Sequence, residues 1–179
     1  MRIISGSFKG RTFRVPPGFP SRPTTDFAKE GLFNILGNQR EFADMTILDL
    51  CAGTGNLTFE FISRGASQVI AVDNHTKVCR WLHKNTLQLD MQQQVTVVPS
   101  ECITFLQRTH LSFDIIFADP PYDVNFHDQI IELVFQRSLL QRDGMLIIEH
   151  GKQTRLDHET NYDQTRNFGN VYFSFFSWH

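Results

Sequence analysis

Apolar residues in this chain gather in short runs, and between the runs lie polar stretches of helical period. TILDL (46–50), QVIAVD (68–73), QVTVV (94–98), FDIIFA (113–118) and GMLIIE (144–149) are the runs. Such short segments, rich in Val and Ile, suit strands buried on both faces. The stretches 56–64, one ending near Leu89, 101–108 and 126–139 predict the intervening helices. This alternation predicts an α/β fold with a parallel sheet covered by helices on both faces. A further helix is expected over 24–36. Phe27, Gly31 or Leu32, and Ile35 recur there at helical spacing, Thr24, Thr25 or Asp26 can cap its start, and Gly37-Asn38 ends it.

The two ends change character. Residues 1–23 hold short β-like pieces (RII; GRTFRV) broken by Gly and Pro, and predict a small N-terminal β extension on a main domain spanning 24–179. The closing YDQTRNFGNVYFSFFSWH alternates polar residues with Phe and Tyr around Gly169-Asn170. It predicts a C-terminal antiparallel hairpin added to the sheet edge.

Composition bounds this picture. With 179 residues, 41% of them apolar, one domain with a real core is expected. The net charge of -2 rules out an overall electrostatic sponge for nucleic acid. Its distribution is uneven, however. Arg2, Lys9, Arg11, Arg14 and Arg22 precede the first acid, Asp26. This arm is either a solvated basic surface or a local phosphate-contacting one. Cys51, Cys79 and Cys102 lack paired spacing, so neither a disulfide framework nor a metal site is expected. Reduced thiols, no apolar leader in MRIISGSFKG, and no run near the ~20 residues of a membrane span point to a cytoplasmic protein.

Candidate chemistry lies at the carboxyl ends of the runs. The first exits into DLCAGTGN, where Gly53 and Gly55 let the backbone turn tightly and approach a ligand, with Ala52 between strand and turn. A dinucleotide fold would place Gly or Ala at position 58, which here is Thr58. Asp49 is poorly placed beside a pyrophosphate and suits a ligand with a positive amino-acid end. Asp73, followed by Asn74, ends the second run and can accept two ribose hydroxyls. Glu101 and the Cys102 amide follow the third, where an adenine would meet them. Together they suggest adenosine without phosphates plus an amino-acid tail, S-adenosylmethionine. Each alone has an ordinary alternative: a βα turn, a loop acid, a helix-start acid.

The fourth run ends in Asp119-Pro120-Pro121-Tyr122. The prolines fix the direction of two acceptors, the Asp119 carboxylate and the Pro120 carbonyl, and Tyr122 adds a flat ring. Two acceptors on the two N–H bonds of an aromatic amine favour a pyramidal nitrogen whose lone pair can attack a methyl. Stacking on the ring would hold the base with roughly 1–3 kcal/mol. The bland alternative is a rigid strand-ending turn. Asp123 is expected to cap the helix that follows.

With these motifs in order, the chain resembles the bacterial RsmD-type family of 16S ribosomal RNA guanine-N2 methyltransferases. The matching pieces are MRIISGSFKGRTF, RPTTDFAKEGLFNIL, ILDLCAGTGNLTFEFISRGA, AVDNH, FDIIFADPPY, GMLIIEH and NFGNVYFSFF. The resemblance implies a Rossmann-like class I methyltransferase fold with a mostly parallel seven-stranded sheet. It implies S-adenosylmethionine as donor, and as acceptor the N2 amine of a guanine in 16S rRNA of the small subunit or its assembly intermediate; a monomer is expected. It places Asp49, Gly53, Gly55, Asp73, Glu101 and Asp119 at the cofactor or its boundary, Asp119 to Tyr122 at the base, and Arg22 and Thr24 near the active site. Arg2, Lys9 and Arg11 are the further RNA-contact candidates. Cys51, Glu101 and Asp73 depart from the family's usual residues, and 151–161 suggests no role. Two rivals remain: another exocyclic-amine methyltransferase, such as one acting on adenine N6, and a non-catalytic ribosome-assembly protein.

Overall fold

The computed structural model describes residues 1–21, 24–39, 41–120 and 126–179. In chain order its elements are α1 (Asp26–Gln39), β1 (Thr46–Leu50), α2 (Asn56–Ser63), β2 (Gln68–Asp73), α3 (Thr76–Gln88), β3 (Val95–Pro99), α4 (Cys102–Arg108), β4 (Phe113–Ala118), α5 (Phe126–Gln136), β5 (Leu140–His150), β6 (Tyr162–Phe168) and β7 (Val171–Phe176). They form one seven-stranded sheet in the order β3-β2-β1-β4-β5-β7-β6. The first five strands are parallel, and β7 runs antiparallel to both β5 and β6. The order reverses between β1 and β4, which opens a crevice at their carboxyl ends.

Side chains alternate between two cores. Ile47, Ala71, Ile115, Phe117 and Ile147 face α1, α2 and α3, whereas Leu48, Leu50, Val72, Ile116, Ala118 and Ile148 face α4 and α5. Both faces are therefore covered, as the unbroken apolar runs require.

Several boundaries differ from expectation. The core face of α1 is Ala28, Lys29, Leu32, Phe33 and Leu36, while Phe27 is 64% exposed, one position off the expected stripe. A buried lysine conceals the true face. The helix starts at Asp26, with Thr25 Oγ1 accepting from Ala28 N at 3.2 Å, and continues past Gly37 to Gln39. At the other end of the sheet, α5 stops at Gln136 rather than 139. Ser138 takes φ 52°, Ser138 N donates to Phe135 O, and Leu139 N donates to Val134 O. That is a left-handed helix stop built on serine instead of glycine, so composition gave no sign of it. β5 begins at Leu140, four residues before the expected run. Leu140 pairs with Phe113 across a register break, where a Cβ on Gly144 would lie 2.9 Å from Phe113 O. The proposed cap Asp123 lies outside the described residues.

The N-terminal segment is fastened to the sheet's helices. Arg2 bridges antiparallel to Thr12, and Ile3 and Phe13 enter the α1–α3 core, Phe13 stacking on Phe59 at 5.6 Å. Glu60 accepts from Ile4 N (2.8 Å) and Ser5 N (3.0 Å). Gly6, at φ 83°, lies so close to α2 that a Cβ would sit 1.6 Å from Ser63 O.

Candidate active-site cleft

A cleft of ≈ 710 Å³ opens at the carboxyl ends of the parallel strands. Each of the five strands contributes one acid to its lining: Asp49 within β1, Asp73 ending β2, Glu101 after β3, Asp119 after β4 and Glu149 near the end of β5. Among the described residues, no lysine or arginine lines it.

The glycine turn between β1 and α2 is shaped by its backbone. Gly53 and Gly55 have φ of 52° and 76°, and Cys51 shares the left-handed region at 59°. A Cβ on Gly53 would meet Ser21 Oγ at 2.7 Å, so this glycine keeps open the seam between the turn and the N-terminal segment. A Cβ on Gly55 would instead strike Leu82 and Phe59. Gly55 does not line the cleft; it lets α2 start against the core.

Asp49 lies 2% exposed below this turn and accepts the Thr58 hydroxyl. Burial raises its pKa to about 7, against the opposing pull of that hydrogen bond. Thr58 thus occupies the position of the missing third glycine and orients an acid. Asp73 is held by two amides, Gly53 N to Oδ2 (3.1 Å) and His75 N to Oδ1 (2.8 Å). Each oxygen keeps a second acceptor site. Glu101 caps α4, its Oε2 accepting from Thr104 N at 2.9 Å. The capping role and the cleft position coexist, since Oε1 is not used by the cap. Ala52, Asn74 and Cys102 also line the cleft. The partly buried Cys51 thiol is pushed far above the usual thiol range by the neighbouring Cys102 thiol and by burial, which removes it as a nucleophile.

Asp119 and Pro120 close the far side. Burial raises Asp119 to about 7. Glu149 is raised to about 8 by burial and by the Asp119 charge, and its Oε2 accepts from Thr24 Oγ1 at 2.9 Å. Thr24 O in turn accepts from Asn56 Nδ2 at 2.7 Å. Thr24 therefore stands at the cleft wall. Arg22, Pro121 and Tyr122 lie outside the described residues. Arg2, Lys9 and Arg11 are exposed and away from the cleft, with Arg2 paired to Asp26 at 3.2 Å.

The sequence reading did not single out Glu149, Ser21 or Asn56. Glu149 carried a usable signal, an acid near a strand's carboxyl end, as at Asp73. Ser21 carried none, because a loop delivers it; its hydroxyl is buried without a hydrogen-bond partner among the described residues. Outside the cleft, Asp128, His158 and Glu159 bring ligand atoms within 4.8 Å of one another, partly from the segment 151–161. No helix is long and apolar enough to cross a membrane among the described residues.

The chain is similar to known proteins over nearly its whole length. The family model described as Conserved hypothetical protein 95 matches residues 1–177. The ribosomal RNA small subunit methyltransferase D of Haemophilus influenzae is 32% identical over 165 residues, covering 90% of this chain and 84% of that protein. The protein of the same name from Escherichia coli K12 is 32% identical over 149 residues, covering 83% and 74%. The solved structure of yhhF from Escherichia coli superposes with a TM-score of 0.85 at 29% identity, covering 98% of this chain and 96% of that one. The chain belongs to the Conserved hypothetical protein 95 family, the RsmD-type family of these small-subunit methyltransferases.

Proposed function

We propose that the chain is an S-adenosylmethionine-dependent rRNA methyltransferase that methylates the exocyclic N2 amine of a guanine in 16S rRNA. The observation that carries this reading is the row of five strand-end acids, uncompensated by any lysine or arginine in the cleft lining among the described residues. A pyrophosphate would be repelled there; a cation would be drawn in.

The residues fit that cofactor. Asp49 and its acidic neighbours suit a ligand bearing positive charge. The second acceptor sites of Asp73 suit two ribose hydroxyls, and Glu101 Oε1 suits an adenine amine. The Ser21 hydroxyl, without a hydrogen-bond partner among the described residues, is a ready donor or acceptor at the same wall. When bound, S-adenosylmethionine supplies an activated methyl group.

The chain's own groups do the rest. The Asp119 carboxylate and Pro120 carbonyl accept the two N–H bonds of the target amine and hold its lone pair in line. Asp119, with a pKa near neutral, takes the proton the nitrogen sheds once it carries the methyl. Tyr122 stacks on the base. The exposed Arg2, Lys9 and Arg11 contact rRNA phosphates at a distance from the cleft. The enzyme works as a monomer in the cytoplasm, on the small subunit or an assembly intermediate of it. Small-subunit particles from cells lacking the protein, incubated with it and labelled S-adenosylmethionine, are expected to yield labelled N2-methylguanosine by nucleoside mass spectrometry. Label on adenine N6 replaces the guanine reading, and unlabelled RNA defeats both.

A further inference from the structure

The proposed chemistry gives one cleft acid no task beyond its share of the cleft's negative charge. Glu149 is 7% exposed, near the carboxyl end of β5. Ala118 of β4 pairs in register with Ile148 of β5, so the next residues, Asp119 and Glu149, stand side by side across parallel neighbours about 4.8 Å apart. Both line the cleft. Glu149 is firmly aimed. Its Oε2 takes the Thr24 hydroxyl, Thr24 O takes Asn56 Nδ2, and Asn56 Oδ1 takes the buried Lys29 Nζ at 2.7 Å. Among the described residues no group hydrogen-bonds Oε1.

The Asp119 and Pro120 acceptors would grip the amine of any base. They cannot choose among bases. A third acceptor beside them can. Guanine carries a ring N1–H next to its N2 amine, whereas adenine and cytosine present a ring lone pair next to theirs. A carboxylate meets a hydrogen in the first case and another acceptor in the others, which leaves both groups unpaired.

We infer that Glu149 is a specificity-determining residue whose carboxylate accepts the N1–H of guanine and turns away adenine and cytosine. The inference rests on the amine-methyltransferase reading above and adds the residue that selects the base. The ring N–H, together with a cationic ligand in the same cleft, favours the charged form of Glu149 over the neutral one that burial favours in the free chain.

The test uses small-subunit particles reconstituted with either guanine or 2-aminopurine at the methylated position. 2-Aminopurine keeps the C2 amine and replaces N1–H with a lone pair. The wild-type enzyme is expected to methylate guanine at least about 100-fold faster. In Glu149→Gln the side-chain amide can donate to the lone pair, and the ratio is expected to fall within about tenfold, with S-adenosylmethionine affinity within about threefold of wild type. Equal wild-type rates on the two bases overturn the inference, and this arm decides alone if the variant does not fold. A variant that keeps the guanine preference overturns it. So does one that slows both bases equally, or that loses cofactor affinity in proportion, because either marks a structural role. Wild-type methylation of adenine, or of no base, overturns the functional reading itself, a result separate from these.

Discussion

Lys29 and Asp49 are both ionisable and both buried, yet their surroundings are opposites. Lys29 and Glu60 have fully buried side chains 3.3 Å apart. Lys29 Nζ also donates to Arg2 O and Asn56 Oδ1, and Glu60 also accepts from Ile4 N, Ser5 N and Arg64 Nε. Here charge meets opposite charge and the remaining donors and acceptors find partners. This satisfied cluster ties the N-terminal segment, α1 and α2 into one block. The acids of the cleft have no such counter-charge among its described lining residues, and burial lifts Asp49, Asp119 and Glu149 to about 7, about 7 and about 8. A charge cluster balanced from within is architecture. One left unbalanced is shaped for something that arrives from outside.

That contrast can be broken from either side. The largest expected effect is at the chemistry. Asp119→Ala is expected to lower methyl transfer by about 10³-fold while leaving the fold and most cofactor affinity intact. Single-turnover label transfer measures it, and near-wild-type turnover would remove Asp119 from the reaction. On the balanced side, Lys29→Met leaves Arg2 O and Asn56 Oδ1 without their donor while Glu60 keeps Arg64, and is expected to cost about 2–3 kcal/mol of stability. Urea unfolding reads that cost, and a loss well under 1 kcal/mol would show the pair to be dispensable.

Smaller effects sharpen the comparison. Asp49→Asn is expected to weaken S-adenosylmethionine binding about tenfold and yet to raise the ligand-free Tm by about 2–4 °C, because a poorly solvated acid is gone. Loss of both affinity and stability would make Asp49 a structural acid like Glu60. The smallest effect is in pH. Asp49, Asp119 and Glu149 have folded pKa values above their unfolded ones, so their contribution is full below about pH 4 and is lost as pH rises through about 7–8. His127 and His150 are shifted down by burial, so their contribution is lost as pH falls below about 6.5. The ligand-free Tm should therefore fall by about 2–4 °C between about pH 6.5 and about pH 9. A flat or rising profile over that window contradicts the shifts.

The same contrast explains what the sequence revealed. β1, β2 and β4 were legible to the residue, because a strand buried on both faces is apolar throughout. Their terminal acids stood out against that background, and so the Asp49, Asp73 and Asp119 positions were readable. The balanced cluster hid what it touched. Lys29, polar by type and buried by pairing, displaced the apparent face of α1 onto Phe27 and Ile35. Glu149 looked like one more acid after an apolar run until the β4–β5 register set it beside Asp119. Ser138 and Ser21 were invisible for a different reason: a left-handed backbone and a long-range loop contact leave no periodic mark.

The most direct test of the unbalanced cleft is the proton count on binding. A cation entering among acids of near-neutral pKa should drive protons off them. Calorimetric titration with S-adenosylmethionine near pH 7, repeated in buffers of different ionisation enthalpy, is expected to show binding with net proton release. Binding without proton release, or no binding, would contradict the account.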